Sequence, residues 1–235
     1  MATAFWIITD RYMIEALNSS ASVQRHMPDV KRIVFSPDPV SFHRSFDEVR
    51  QLPKRSHDWW FMDSARYFGL AVDGIKDEKL LYFDSDTYMC EPIYDVLEVL
   101  DKFDIAATHA PGRITSNLLD PLLIPEAFPE VNVGVMGIRR SQKTIWLMER
   151  WYEKFRENPE RYNNNDQGPL REVLWDNNAK LYILPPEYNM RWGFGGFARY
   201  KVKVLHGRTK NYAGVCDKLN GKGAVMRGWH RGEMD

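Results

Sequence analysis

A short apolar and aromatic run, Leu80-Leu81-Tyr82-Phe83, stops at two carboxylates one residue apart in Asp84-Ser85-Asp86. The run reads as a buried strand, and nothing about a buried strand requires acids at its end. Ligands of open α/β sheets collect at the carboxyl ends of strands, so an acidic pair at that edge is placed to hold a cation. Alternate residues of an extended segment face opposite sides. Asp84 and Asp86 therefore face the same way and can share one Mg²⁺ or Mn²⁺, both directly or one through water. The tripeptide alone also arises by chance in a chain rich in Asp. The strand before it and the Cys90-Glu91-Pro92 loop after it give it weight.

This strand lies within an alternation of strands and helices. Ala4 to Thr9 is apolar and ends at Thr9-Asp10-Arg11-Tyr12; a helix is predicted from Tyr12 to about His26, closed by Pro28, and Lys31 to Phe35 is a second strand. Strand, helix, strand is a βα unit, which predicts an α/β fold with a mostly parallel central sheet flanked by helices. Ser36 to Arg55 reads as an irregular connection with at most a short helix, and Asp58 to Val72 as a helix presenting Asp63, Ser64 and Arg66. After the acidic strand come a helix at Tyr94 to Leu100 and a strand at Asp104 to Thr108. The proline-studded segment from Pro111 to Pro129 has the length of a functional loop over a site.

Val131 to Ile138 is the next strand, and Asn132 within it must find hydrogen bonds from a neighbouring strand end or a polar ligand. Ser141 to Glu157 is the best amphipathic helix, with Ser141 as its N-cap. The polar run Asn163 to Pro169 precedes a helix through Leu170 to Trp175, which Asp166 either merely caps or stands before as a functional acid. A short strand over residues 180–184 follows, and then a final strand from Val202 to Leu205 that ends in His206-Gly207-Arg208-Thr209-Lys210.

With 235 residues, 44% apolar and 13% aromatic, the chain can bury a sizeable core, most simply as one domain over residues 1–235 with a mobile tail from about Gly221. The 32 basic and 32 acidic residues cancel, which argues against nucleic acid or an anionic membrane as partner. Cys90 and Cys216 are too few for a disulfide scaffold, and two thiols suit a reducing compartment. Met1-Ala2-Thr3-Ala4-Phe5-Trp6 lacks the basic head and long apolar core of a signal peptide, and no stretch approaches a membrane span. The sequence thus predicts a soluble, cytoplasmic protein without a transmembrane segment.

Two aspartates at one strand end and a histidine at another complete an oxygen-and-nitrogen set of the kind Mn²⁺ or Mg²⁺ accepts, with positions left for a diphosphate. Alone, a histidine such as His206 is more often a satisfied structural residue; Arg208 and Lys210 just after it add charge suited to phosphate and bring the metal reading level with the structural one. Thr9 and Asp10 stand where a base or ribose would be held, with Tyr12 available for stacking.

Taken in order, several motifs resemble the GT-A glycosyltransferases, and within them the glycogenin-like and lipopolysaccharide-galactosyltransferase-like group called family 8. They are Thr9-Asp10-Arg11-Tyr12, Arg66 ahead of the acidic strand, Leu81-Tyr82-Phe83-Asp84-Ser85-Asp86, Asn132-Val133-Gly134-Val135, Asn165-Asp166-Gln167 and a late strand ending in His206. The resemblance spans about residues 4–210. It implies the GT-A nucleotide-diphospho-sugar transferase fold, a nucleotide-sugar donor with UDP favoured, a glycan or other hydroxyl acceptor, and Mn²⁺ (or Mg²⁺) on Asp84, Asp86 and His206. It also implies that Thr9, Asp10 and Tyr12 bind the nucleoside, that Arg66, Ser85 and Asn132 attend the donor sugar or phosphate, and that Lys210 neutralises the leaving diphosphate. Asp166 and Gln167 would face the reacting centre. The usual His-x-x-Gly-x-x-Lys-Pro-Trp is replaced by His206-Gly207-Arg208-Thr209-Lys210-Asn211-Tyr212, which makes Arg208 an alternative to Lys210, and Gly168 replaces the second acid of Asp-Gln-Asp.

Trp192 and Phe194, in the segment Trp192-Gly193-Phe194-Gly195-Gly196-Phe197, are expected on the acceptor side, because aromatic faces stack on sugar rings; for Trp192 a core position is the equal alternative. The resemblance favours retention of configuration, with Asp166 orienting the sugar, whereas a base role for Asp166 implies inversion. Two rivals remain. One is a non-catalytic nucleotide-sugar-binding module on the same fold. The other is a haloacid-dehalogenase-type phosphatase, which also uses strand-Asp-x-Asp but expects Thr or Val where Tyr88 stands.

Overall fold

A computed structural model describes residues 2–38, 45–56, 60–110, 124–194, 196–221 and 227–229. Within the expected loop from Pro111 to Pro129, residues 111–123 lie outside the described residues, as does most of the tail after Gly221 and the side chain of Asp10.

In chain order the elements are β1 (Ala2–Ile7), α1 (Met13–His26), β2 (Lys31–Ser36), β3 (Glu48–Gln51), α2 (Trp60–Gly74), β4 (Lys79–Phe83), β5 (Thr87–Met89), α3 (Tyr94–Val99), β6 (Ile105–His109) and β7 (Val131–Arg139). They continue as α4 (Gln142–Glu157), α5 (Gln167–Asp176), β8 (Leu181–Leu184), β9 (Met190–Arg191), β10 (Gly196–Ala198), β11 (Val204–His206), α6 (Tyr212–Asn220) and β12 (Arg227–Trp229). Seven strands form the main sheet in the order β3-β2-β1-β4-β7-β6-β8. All its pairings are parallel except those of β7, which runs antiparallel to both β4 and β6.

The central strands are apolar on both faces because helices cover both. Phe5, Ile33, Tyr82 and Met136 point into one core with Phe68 of α2, Trp151 of α4 and Leu170 of α5. Their neighbours Trp6, Val34, Phe83 and Val135 point into the other, with Ala16 and Val23 of α1 and Val96 of α3. Each large side chain so buried stabilises the fold by roughly 1.5–3 kcal/mol before entropy is counted. Ser141 caps α4 as expected, in a reciprocal box: its Oγ accepts from Thr144 N at 3.2 Å, and its own N–H donates to Thr144 Oγ1 at 2.8 Å. Asp104 ties the far edge of the sheet. Burial would raise its pKa, but Lys143 at 2.8 Å, the Lys180 N–H and Arg139 at 2.7 Å hold the carboxyl below its ordinary value.

Two features position the site. Between Ala107 and Thr108 the β6–β7 register jumps from Met136 to Asn132, leaving a bulge on β7 beside the end of β4. A second sheet, β5-β11-β9, then folds the segment after Asp86 back against the late strand, with Thr87 opposite His206 and Arg191 on the other flank.

Several sequence expectations are corrected. The connection from Ser36 to Arg55 contains β3, a half-exposed edge strand paired with β2 whose sequence Glu-Val-Arg-Gln has no apolar run to announce it. Residues 227–229 of the tail form β12, paired with β10. Cys90 and Cys216 are not two thiols. They form a disulfide, with Cα atoms 5.7 Å apart, that fastens α6 to the end of β5 across a sequence separation of 126 residues. Among the described residues no helix is long and apolar enough to cross a membrane.

Candidate active site

Asp84 follows β4 and Asp86 precedes β5, while His206 ends β11, so the turn between two strands and the end of a third meet at one point. His206 Nε2 lies 3.5 Å from Asp84 Oδ2 and 3.5 Å from Asp86 Oδ1. Both aspartates are braced. Asp84 N–H donates to Gly134 O at 2.8 Å, Tyr82 O–H donates to Asp84 Oδ1 at 2.8 Å, and Gly207 N–H donates to Asp86 O at 2.9 Å. Burial pushes the Asp84 carboxyl up, only partly offset by the imidazole beside it. Burial acts the same way on Asp86, but His206 and Arg208 outweigh it and hold that carboxyl at about 2.

The histidine's tautomer follows from hydrogen bonds that begin at an unambiguous donor. Gly134 N–H donates to Asn132 Oδ1 at 3.1 Å, so that oxygen is an acceptor and also takes a hydrogen from Asn189 Nδ2 at 2.9 Å. Asn189 then presents its oxygen to His206 Nδ1 at 2.8 Å, so Nδ1 carries a proton and Nε2 is the ring nitrogen that faces the two carboxylates and would ligate a cation between them. Asn132 Nδ2 donates to Gln167 Oε1 at 3.2 Å, extending the network to the start of α5. Residue 134 has to be glycine, because a Cβ there would overlap the His206 ring and stand 2.8 Å from Asp84 Oδ2. Two carboxylate oxygens and a correctly protonated imidazole fit a divalent cation of the Mn²⁺ or Mg²⁺ class.

These groups open into a cavity of about 540 Å³, lined also by Tyr12, Ser85, Asn132, Asp166, Gln167 and Arg208. Asp166 stands at the cap position of α5 yet makes no side-chain capping bond. It is 4% exposed, and burial first, then the charge of Asp84, raises its carboxyl to about 7. Arg208 Nε donates to Glu15 Oε1 at 2.7 Å, which lays the guanidinium over the Tyr12 ring, 5.3 Å from its centroid, and 3.8 Å from Asp86 Oδ2.

Other expected residues stand apart from the cavity wall. Thr9 is buried and caps the turn to Tyr12 through its carbonyl, Arg66 donates to Ser56 Oγ at 2.8 Å, and Lys210 is exposed. The two aromatics part company. Trp192 is packed in a small core with Leu205 and Val215, its indole against Gly207, whose φ of 125° also demands glycine. Phe194 lines the cavity mouth and is 47% exposed.

Sequence reasoning missed Asn189, Glu15 and Arg191. Arg191 lines the cavity with its guanidinium 4.7 Å from the Phe194 ring centroid. No motif marks any of the three; the inward-facing Asn189 could have been sought only as the partner that a buried histidine needs.

No protein-family model matches the sequence, and no curated protein matches it. Among solved structures the chain is similar to the glycosyltransferase GlyE of Streptococcus pneumoniae TIGR4, with a TM-score of 0.64 and 18% identity over 90% of this chain and 56% of that one. The apo form of GlyE matches at 0.64 and 18% over 89% and 55%. The chain thus spans little more than half the length of GlyE. It is also similar to the galactosyltransferase LgtC, solved in complex with donor and acceptor sugar analogues, with a TM-score of 0.63 and 12% identity over 96% of this chain and 97% of that one. What these likenesses show is the fold: an α/β architecture, with a mostly parallel central sheet flanked by helices, that this chain shares with glycosyltransferases.

Proposed function

We propose that residues 1–235 act as a single catalytic domain that moves a sugar from a nucleoside-diphosphate sugar, UDP-linked by preference, to a hydroxyl of a glycan or other acceptor. The observation that carries this reading is His206 Nε2 set 3.5 Å from both Asp84 and Asp86 in the wall of a cavity, in a fold shared with glycosyltransferases. Asp84, Asp86 and His206 would hold Mn²⁺ or Mg²⁺, which supplies positive charge to the diphosphate as it leaves. Tyr12, with Thr9 and Asp10, would receive the nucleoside. Arg208, with Lys210 further out, would meet the phosphates and stabilise the charge that develops there. Ser85, Asn132, Asp166 and Gln167 would attend the donor sugar, and Arg66 would have to swing from Ser56 to reach it.

In the retaining course favoured here, the bond from the anomeric carbon to phosphate oxygen breaks, the acceptor oxygen bonds on the same face, and the released phosphate takes the acceptor's proton. Asp166 then orients the sugar. A non-catalytic module on the same fold is the second reading, and it is favoured by nothing in the site. The phosphatase alternative finds no support in a fold similar to those of glycosyltransferases.

Incubating the protein with Mn²⁺ and a panel of nucleotide sugars separates these readings. Slow release of nucleoside diphosphate supports the transferase; binding without turnover supports the module; phosphate release from small phosphomonoesters supports the phosphatase.

A further inference from the structure

The cavity contains a cation that the reading above does not use. Arg191 ends β9, is partly buried and lines the cavity. Among the described residues its guanidinium makes no hydrogen bond and no ion pair; its side-chain partner is the ring of Phe194, 4.7 Å from centroid to guanidinium carbon. The other guanidinium of the cavity differs: Arg208 is tied to Glu15 at 2.7 and 3.2 Å. A planar group with five donors, held against an aromatic face in a partly dry wall, lacks acceptors that a carboxylate or phosphate would supply two at a time. Asp84 and Asp86 act on Arg191 through space but stand beyond ion-pair reach, and a divalent cation between them would claim their oxygens.

The side of the cavity on which Arg191 stands decides which anion it meets. In the order β5-β11-β9, Thr87 flanks His206 on one side and Arg191 on the other. Arg208 leans to α1, where Glu15 and Tyr12 hold it, so the nucleoside and its phosphates have their cation there. Arg191 lies across β11 from Thr87, and its guanidinium packs on the ring of Phe194, which is 47% exposed and lines the same cavity.

We propose that Arg191, backed by Phe194, is a subsite for an acidic acceptor, a saccharide carrying a carboxylate or a phosphate near the hydroxyl that is glycosylated. This rests on the transferase reading and adds to it a class of acceptor.

The test uses the Mn²⁺-loaded protein with glucose, glucuronate and glucose 6-phosphate as acceptor probes, and calorimetric titration of UDP as the control. Loss of a charge-assisted pair of hydrogen bonds corresponds to roughly a 10- to 100-fold change. Wild type is expected to show a lower KM for at least one acidic probe than for glucose, by about tenfold or more. In R191Q that ratio falls to near one, while R191K, with charge but no fork, keeps part of it; the UDP dissociation constant stays within about threefold in both. Melting temperatures check that the variants fold, and R191K serves if R191Q does not. Equal use of neutral and acidic probes by wild type overturns the proposal and leaves Arg191 as a counter-ion to the aspartates. A UDP affinity that falls in step with the acceptor ratio also overturns it, and assigns Arg191 to the leaving diphosphate. If wild type neither binds UDP nor uses any donor, the transferase reading itself has failed, and the acceptor subsite with it.

Discussion

His206 donates its Nδ1 hydrogen to Asn189 Oδ1 at 2.8 Å, and this bond, rather than the carboxylates, decides which ring nitrogen faces the candidate metal position. Partners of this kind fix both the orientation and the basicity of a histidine ligand. Asn189→Ala frees the ring to turn and to place its proton on Nε2. The expected result is a 10- to 100-fold, roughly, weaker Mn²⁺ affinity by calorimetry. An affinity equal to wild type would mean that the ring is held well enough by β11 alone.

Asp166 gives a prediction in pH. Its folded pKa is raised from the model-compound value of 3.8 to about 7, so between those values the folded protein binds more protons than the unfolded chain. Stability is therefore greatest below the unfolded pKa and is lost as pH rises through the folded one. In metal-free protein, Asp166→Asn should unfold at higher temperature than wild type at pH 8, with the gap closing toward pH 4. The same variant should lose activity by roughly 100-fold or more if Asp166 attends the reacting centre. A stable but fully active Asp166→Asn would remove it from the reaction, and NMR of the product's anomeric configuration separates sugar orientation from a base role.

The Cys90–Cys216 bond closes a long loop and joins the small core to β5, the strand that carries the acidic turn into the second sheet. Replacing both cysteines by serine should lower the free energy of unfolding by about 2–4 kcal/mol in urea titration. Thiol titration of the denatured, unreduced protein should find no free thiol. Two free thiols there would restore the reducing compartment that the composition suggests.

Trp192 and Phe194 should behave differently although they lie two residues apart. Trp192→Ala empties a packed core position and should cost about 3–5 kcal/mol of stability, taking every activity down with it. Phe194→Ala should leave stability nearly unchanged and raise the acceptor KM. If Phe194→Ala destabilises as much as Trp192→Ala, the cavity mouth is part of the core.

The fold was legible where a residue's neighbours along the chain carry the signal. Strands such as β1 and β4 are apolar on both faces because they are covered on both, and α4 announces itself by its stripe and its cap. Asp84, Asp86 and His206 were legible for a related reason, since each interrupts or ends such a strand. The edge strand β3 is half exposed and polar, so no periodicity marks it, and α6 follows β11 with only a modest apolar face. Asn189 and Arg191 owe their places to the β9–β11 pairing, a contact between segments joined by a long irregular connection. That pairing is set by tertiary packing, so nothing local in the sequence gives it away.

The account turns on a divalent ion held by Asp84, Asp86 and His206 to receive a nucleoside diphosphate. Without it, three buried or half-buried carboxylates, Asp84, Asp86 and Asp166, would face the phosphates and repel them. The direct measurement is calorimetric titration of UDP into wild type with Mn²⁺, into wild type with chelator, and into Asp86→Ala with Mn²⁺. The account predicts binding in the first titration and a loss of roughly 100-fold or more in the other two. Equal UDP affinity in all three would contradict it.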